Sequence, residues 1–207
     1  MKAVLFDFGG VITEPLGPVL RVLAIAAGAD PAEFAAVLIG AYDAEDHPWN
    51  RLERGEIGFA ELCAWARAEG ARRGWRLDLS PALDHLAALP FRPAVLDRVA
   101  DLRRRGLRTA VVTNSFTEVT ALWRARIDID ALFDTIVDSC EVGLRKPDPR
   151  IYHLTLERLG GLAPSEAVLL DDFEVNVEAA RAIGMRGVAV GHDTDAALAE
   201  LERLLSS

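Results

Sequence analysis

The chain has 207 residues, 51% of them hydrophobic and 27% charged, enough for one large domain or a core domain with an insert. Its 23 basic and 32 acidic residues leave a net charge of −9, which argues against a nucleic-acid backbone or an anionic membrane as partner. Cys63 and Cys140 are far apart and fit neither a zinc spacing nor a disulfide framework, and no apolar run approaches the roughly 18 residues of a membrane span, so a soluble cytoplasmic protein is expected.

Short apolar runs recur along the chain with helical patterns between them. Residues 2–7 (KAVLFD) form the first, and residues 108–113 (RTAVVT) follow a charged helix, DRVADLRRRG, that stops at Gly106. Residues 135–138 (TIVD), 167–171 (AVLLD) and 187–190 (GVAV) complete the set. Helices are expected over 118–126, 150–159 and 175–183. Runs apolar on both faces and alternating with helices predict a Rossmann-like α/β fold, a doubly wound parallel sheet covered on two sides. The interval 16–89 breaks this rhythm. It carries only amphipathic helical patterns (PAEFAAVLIGAY, HPWNRLERGEI, FAELCAWARAEGARR), punctuated by Pro18, Pro48 and Pro81. The expected division is therefore an α/β core of residues 1–15 and 90–207, with an inserted α-helical cap over 16–89.

In a parallel sheet, ligands bind beyond the carboxyl ends of the strands. Asp7, Gly9 and Gly10 stand past the first run, and Thr113 and Asn114 past the second. Lys146 follows the third in the loop GLRKPDP, and Asp171 and Asp172 follow the fourth, with Asn176 one turn on. A lone carboxylate, a hydroxyl with an amide, a lysine and an acidic pair together suit phosphoryl transfer through an aspartyl phosphate. Mg²⁺ takes oxygen ligands, which Asp7, Asp172 and the Gly9 carbonyl can supply. Thr113 and Asn114 can bond phosphate oxygens, Lys146 can offset charge, and the turn at Gly10 presents N–H groups.

VLFDFGGVIT, VVTNS, GLRKPDPRIY and VLLDDFEVNVEAARAIGM resemble, in order and spacing, the four motifs of the haloacid dehalogenase (HAD) superfamily. The likeness covers nearly the whole chain. WNRLERGEI, RKPDPRIY and DDFEVN are similar to the branch that holds the phosphatase domain of soluble epoxide hydrolase and bacterial sugar phosphatases. The resemblance implies Asp7 as nucleophile, Thr113 and Lys146 on the phosphate, and Mg²⁺ between Asp7, the carbonyl of residue 9 and Asp172. Asp171 and Asn176 would support them from behind. The substrate expected is a small phosphomonoester such as a sugar phosphate, under a cap that admits metabolites.

In the family's phosphatases a second Asp two residues after the nucleophile carries the proton; here that position is Gly9. General acid–base help contributes about 10²–10⁴-fold. Glu14 or His47 are candidate substitutes, a good leaving group would reduce the need, and a weakly catalytic phosphate-binding module is the alternative of another class. A metal-independent dehalogenase is the alternative enzyme, against which the Asp171–Asp172 pair counts, since two adjacent carboxylates call for a cation. Cys140, His153 and His192 are expected to be structural or solvent-facing. The four tryptophans are expected to pack the cap and the helices; one of those in the cap could touch substrate, and the sequence does not say which.

Overall fold

The structure is a computed structural model that describes residues 1–41 and 44–206. Five strands, β1 (Ala3–Phe6), β2 (Arg108–Thr113), β3 (Thr135–Asp138), β4 (Ala167–Asp171) and β5 (Arg186–Ala189), form one sheet. Their order is β3-β2-β1-β4-β5 and every pairing is parallel. From β1 the chain winds outward through β2 to β3, then returns to the other side of β1 for β4 and β5. The direction of winding reverses between β1 and β4, so a crevice opens beyond their carboxyl ends.

Alternation along each strand supplies both faces. Val4, Phe6, Val111, Val168 and Leu170 pack with α6 (Pro93–Arg104), α7 (Thr117–Arg124), α8 (Ile129–Leu132) and α12 (Thr194–Leu205). Ala3, Leu5, Ala110, Val112 and Leu169 face α10 (Pro149–Arg158) and α11 (Glu174–Ala182). α9 (Ser139–Val142) is a single turn after β3. β1 ends one residue earlier than its apolar pattern, at Phe6, because Asp7 turns its side chain onto the following N–H. β5 begins and ends one residue sooner than its sequence pattern, since Arg186 already pairs with Val168.

Among the described residues, five α-helices lie between β1 and α6: α1 (Gly17–Ala27), α2 (Pro31–Ile39), α3 (Pro48–Glu53), α4 (Phe59–Arg72) and α5 (Ala82–Ala87). Tyr42, the last residue of the helical pattern PAEFAAVLIGAY, lies outside the described residues, as does Ser207 at the end of the expected core. The five helices bury a cluster of their own, with Leu23, Phe34, Leu38, Leu52 and Leu62 inside it and Phe116 reaching in from the loop after β2. The chain leaves the sheet and returns to it side by side. Glu14 N–H donates to the Pro90 carbonyl (2.9 Å), Arg92 N–H donates to the Ile12 carbonyl (2.8 Å), and Thr13 bridges Phe91 antiparallel. Among the described residues no single helix is long and apolar enough to cross a membrane.

Candidate active site

Asp7 sits where β1 gives way to a turn. Its N–H still donates to the Leu170 carbonyl of β4 (2.8 Å), and its Oδ1 accepts from Phe8 N–H (2.7 Å). The chain then folds tightly until Thr13 N–H meets the Phe8 carbonyl (3.0 Å). Gly10 holds φ +74° in this turn, and a Cβ on it would stand 2.1 Å from Asp172 Oδ2. Gly10 therefore gives Asp172 its place, and the pocket wall is formed by Gly9 instead. A Cβ at Gly9 would meet nothing within 4 Å.

Lys146 is fully buried and ties three motifs together. Its Nζ lies 2.8 Å from Asp7 Oδ1 and 2.6 Å from Asp171 Oδ2. The other Asp171 oxygen accepts from Phe173 N–H (2.9 Å) and from Asn176 Nδ2 (2.9 Å). Asp171 is thus saturated with donors and anchors the lysine. The Asn114 side chain is committed to the Lys146 backbone, accepting its N–H at 2.7 Å and donating to its carbonyl at 2.9 Å. A phosphate contact from residue 114 would therefore fall to its main-chain N–H. Thr113 is buried at the end of β2, beside Asp138 of β3 in the register, and lines the same pocket as Asp7, Lys146 and Asp172.

The charge balance at this point is unfavourable without a cation. Asp7, Asp171 and Asp172 each offer an oxygen, and the three atoms lie within 4.8 Å of one another. Burial pushes Asp7 up to about 8, with Lys146 pulling it down and the two neighbouring carboxylates pushing further up. Burial, then Asp171, raises Asp172 to about 6. Asp172 Oδ1 is buried and has no hydrogen-bond partner. A buried carboxylate oxygen without a donor is a costly arrangement that a hard divalent ion would relieve. Asp7, Asp172 and the neighbouring turn backbone therefore fit a Mg²⁺ site, whereas Asp171, already spent on Lys146, stands behind it.

The pocket above these groups encloses about 150 Å³, on the order of ten water-sized sites. Its walls are largely apolar, including Leu16, Ile39, Leu86, Leu89, Val119 and Leu122. Of the tryptophans in the helical insertion, Trp49 is the one that reaches the pocket; Trp123 of α7 lines it too. Glu14 and His47 are absent from it. Glu14 pairs with Arg92 (3.3 Å), and His47 caps α3 by accepting from Trp49 N–H (3.2 Å). Composition and spacing do not single out Glu53, Trp49 and Arg145 as a group. Glu53 is buried at the end of α3, lines the pocket, and accepts from Trp49 Nε1 (2.8 Å) and Arg145 Nε (2.7 Å). The i,i+4 spacing of Trp49 and Glu53 was the available signal for their meeting. Cys140, half-buried, has its thiol pushed up to about 12 by burial and by Asp138, in keeping with a structural role.

A family model described as a haloacid dehalogenase-like hydrolase matches residues 1–184. Bifunctional epoxide hydrolase 2 of Mus musculus is 31% identical across 99% of this chain, which spans 39% of that relative's length. The phosphatase MT3486 of Mycobacterium tuberculosis is 34% identical over 59% of the chain and 58% of its own length. A HAD-family enzyme from Bacteroides thetaiotaomicron, solved with magnesium and inorganic phosphate, superposes with a TM-score of 0.64 at 21% identity, over 93% of this chain and 96% of that one. Solved dehalogenases share the fold as well. With the family model covering most of the chain, and a parallel sheet that gathers all four motifs at one edge, this chain belongs to the haloacid dehalogenase-like hydrolases.

Proposed function

We propose that the protein is a Mg²⁺-dependent phosphohydrolase for small phosphomonoesters, acting through an aspartyl phosphate on Asp7, with residues 16–89 serving as its cap. The observation that carries this is the Asp172 carboxylate, whose buried Oδ1 lacks a donor beside the Lys146-bound Asp7. A dehalogenase attacks carbon and has no use for a second buried carboxylate awaiting a cation.

Asp7, fixed by Phe8 N–H and Lys146, attacks phosphorus in line. Lys146 then shifts part of its charge from the carboxylate to the phosphoryl oxygens, helped by the Thr113 hydroxyl and the Asn114 N–H, while the Ser115 N–H is spent on Ser139 Oγ (2.9 Å). Bound between Asp7, Asp172 and the Gly9 carbonyl, Mg²⁺ would neutralise charge on the transferring group. Water then cleaves the aspartyl phosphate. The phosphatase relative and the neighbour solved with magnesium and phosphate support the class of reaction. The apolar walls favour an ester whose organic part is apolar over a polyhydroxylated sugar, which would need hydrogen-bond partners there.

The test is phosphate release from p-nitrophenyl phosphate, phenyl and short alkyl phosphates, and sugar phosphates, with Mg²⁺ and with chelator. Turnover that needs Mg²⁺, prefers the apolar esters and falls at least about a thousandfold in Asp7→Asn is expected. Activity undiminished by chelator or by Asp7→Asn would remove this reading.

A further inference from the structure

With glycine at position 9, the proton that the leaving oxygen needs must come from elsewhere. The titratable side chains among the described residues of the pocket are few: Asp7, Asp172, Lys146, Arg126 and Glu53. Asp7 is the nucleophile, and Asp172 lies with it at the cation position. Lys146 is held between two carboxylates and faces the transferring group. Arg126, whose guanidinium donates to the Ala87 and Leu89 carbonyls, does not give up a proton at neutral pH. Glu53 remains.

We propose that Glu53, presented by the helical insertion, is the general acid and base that replaces the missing carboxylate at position 9. This rests on the phosphohydrolase reading above.

Several features suit it to the task. It is placed on the insertion, whereas Asp7 belongs to the sheet, and both line one pocket. A leaving group departs opposite the attacking oxygen, and the water of the second step enters from the same side, so one group can serve both steps. In the first, an Asp7 oxygen bonds to phosphorus, the ester P–O bond breaks, and the Glu53 carboxyl proton passes to the departing oxygen. In the second, a water oxygen attacks phosphorus, the bond to Asp7 breaks, and the water's proton returns to the Glu53 carboxylate. Ester and water become alcohol and phosphate, and both carboxyls are restored.

The charged groups that act on Glu53 are Arg145, at 2.7 Å, and Lys146 behind it. Burial raises the Glu53 carboxyl above its ordinary value, and Arg145 and Trp49 draw it part of the way back. The same two donors receive the carboxylate once the proton has left. A carboxyl raised from its ordinary value, with two donors placed to receive the carboxylate, suits a group that gives and retakes a proton.

The experiment compares Glu53→Gln with the natural protein over phosphate esters whose alcohols span a wide range of pKa, with Mg²⁺ present. For alkyl phosphates kcat/KM should fall about 10²–10³-fold, whereas for p-nitrophenyl phosphate, whose anion needs no proton, it should change little. With that substrate the variant should release one equivalent of nitrophenolate quickly and then turn over slowly, because the second step lacks its base. Adding Gly9→Asp to Glu53→Gln should restore turnover, as residue 9 has the room. If loss of the carboxylate leaves Arg145 uncompensated and the variant fails to fold, Glu53→Gln with Arg145→Gln removes both charges and gives the same readouts. An equal loss on every ester, or no loss and no burst, overturns the assignment while leaving the phosphohydrolase intact. A natural protein unaffected by Asp7→Asn overturns both.

Discussion

At position 9 a methyl group would meet nothing within 4 Å, whereas one residue later it would land 2.1 Å from Asp172 Oδ2. Gly10 also holds φ +74°, a conformation that costs an L-residue about 1–2 kcal/mol. Gly10→Ala should therefore fold with a Tm lowered by a few degrees and lose at least about tenfold in phosphatase activity, since Asp172 must move to make room. Equal activity would mean that the Asp172 position is not critical. At this scale the gathering of Asp7, Thr113, Lys146 and Asp172 into one pocket was legible in the sequence. Asp7, Thr113, Lys146 and Asp172 stand past the ends of apolar runs, and a parallel sheet brings such positions to one edge. Asn114 was less legible, because an amide after a strand can serve a phosphate or a neighbouring backbone equally well. Glu53 was hidden for a different reason. It belongs to a charged helical stretch, LERGE, whose ordinary fate is solvent, and only its meeting with Arg145, 92 residues on, buries it.

Helix α3 carries both Trp49 and Glu53 into the pocket, so its first turn matters to the site. His47 caps it: Nδ1 accepts from Trp49 N–H, which places the ring proton on Nε2, 3.2 Å from the Val37 carbonyl. The ring lies in T-shaped contact with Trp65, and partial burial lowers its basicity below the ordinary His value. A protonated Nδ1 can no longer accept, so acid opposes the cap. Because the unfolded chain binds the proton more readily, stability contributed here rises with pH and is lost as pH falls below about 6.5. His47→Asn supplies a cap oxygen that does not titrate. The unfolding free energy read from denaturant melts should fall between pH 7 and 5 by up to about 1 kcal/mol more for the natural protein than for His47→Asn. Parallel slopes would detach His47 from the acid response. Element by element, the strands were the most legible part, because burial on both faces leaves an unbroken apolar signature. The insertion was legible as helical, but the way its helices deliver side chains to the sheet edge depends on packing that periodicity does not encode.

Across the molecule, two hydrophobic units meet at a pocket whose floor concentrates buried negative charge. Asp7 and Asp171 share the cation of Lys146, Asp172 crowds in beside them without an ion pair to it, and Asp172 Oδ1 has no donor. A fold that buries like charges this close gives up stability until a counter-ion arrives. The consequence is a linkage between cation and unfolding. Any ion that binds the folded form alone stabilises it, by about 2.7 kcal/mol at a hundred times its Kd. Mg²⁺ should therefore raise the Tm of the chelated protein by several degrees without substrate. Asp172→Asn removes one of the crowded charges and replaces it with a group whose steric demand on Gly10 is nearly the same. In chelator this variant should melt at least as high as the natural protein, and about 2–4 °C higher for each kcal/mol of repulsion relieved. Its response to Mg²⁺ should shrink or vanish, and its phosphatase activity should go with it. The paired observation is what discriminates. A variant that is less stable in chelator yet still responds to Mg²⁺ would make Asp172 a packing residue and move the cation elsewhere. One that gains stability and loses the response would identify the strain at the pocket floor with the site of the bound ion.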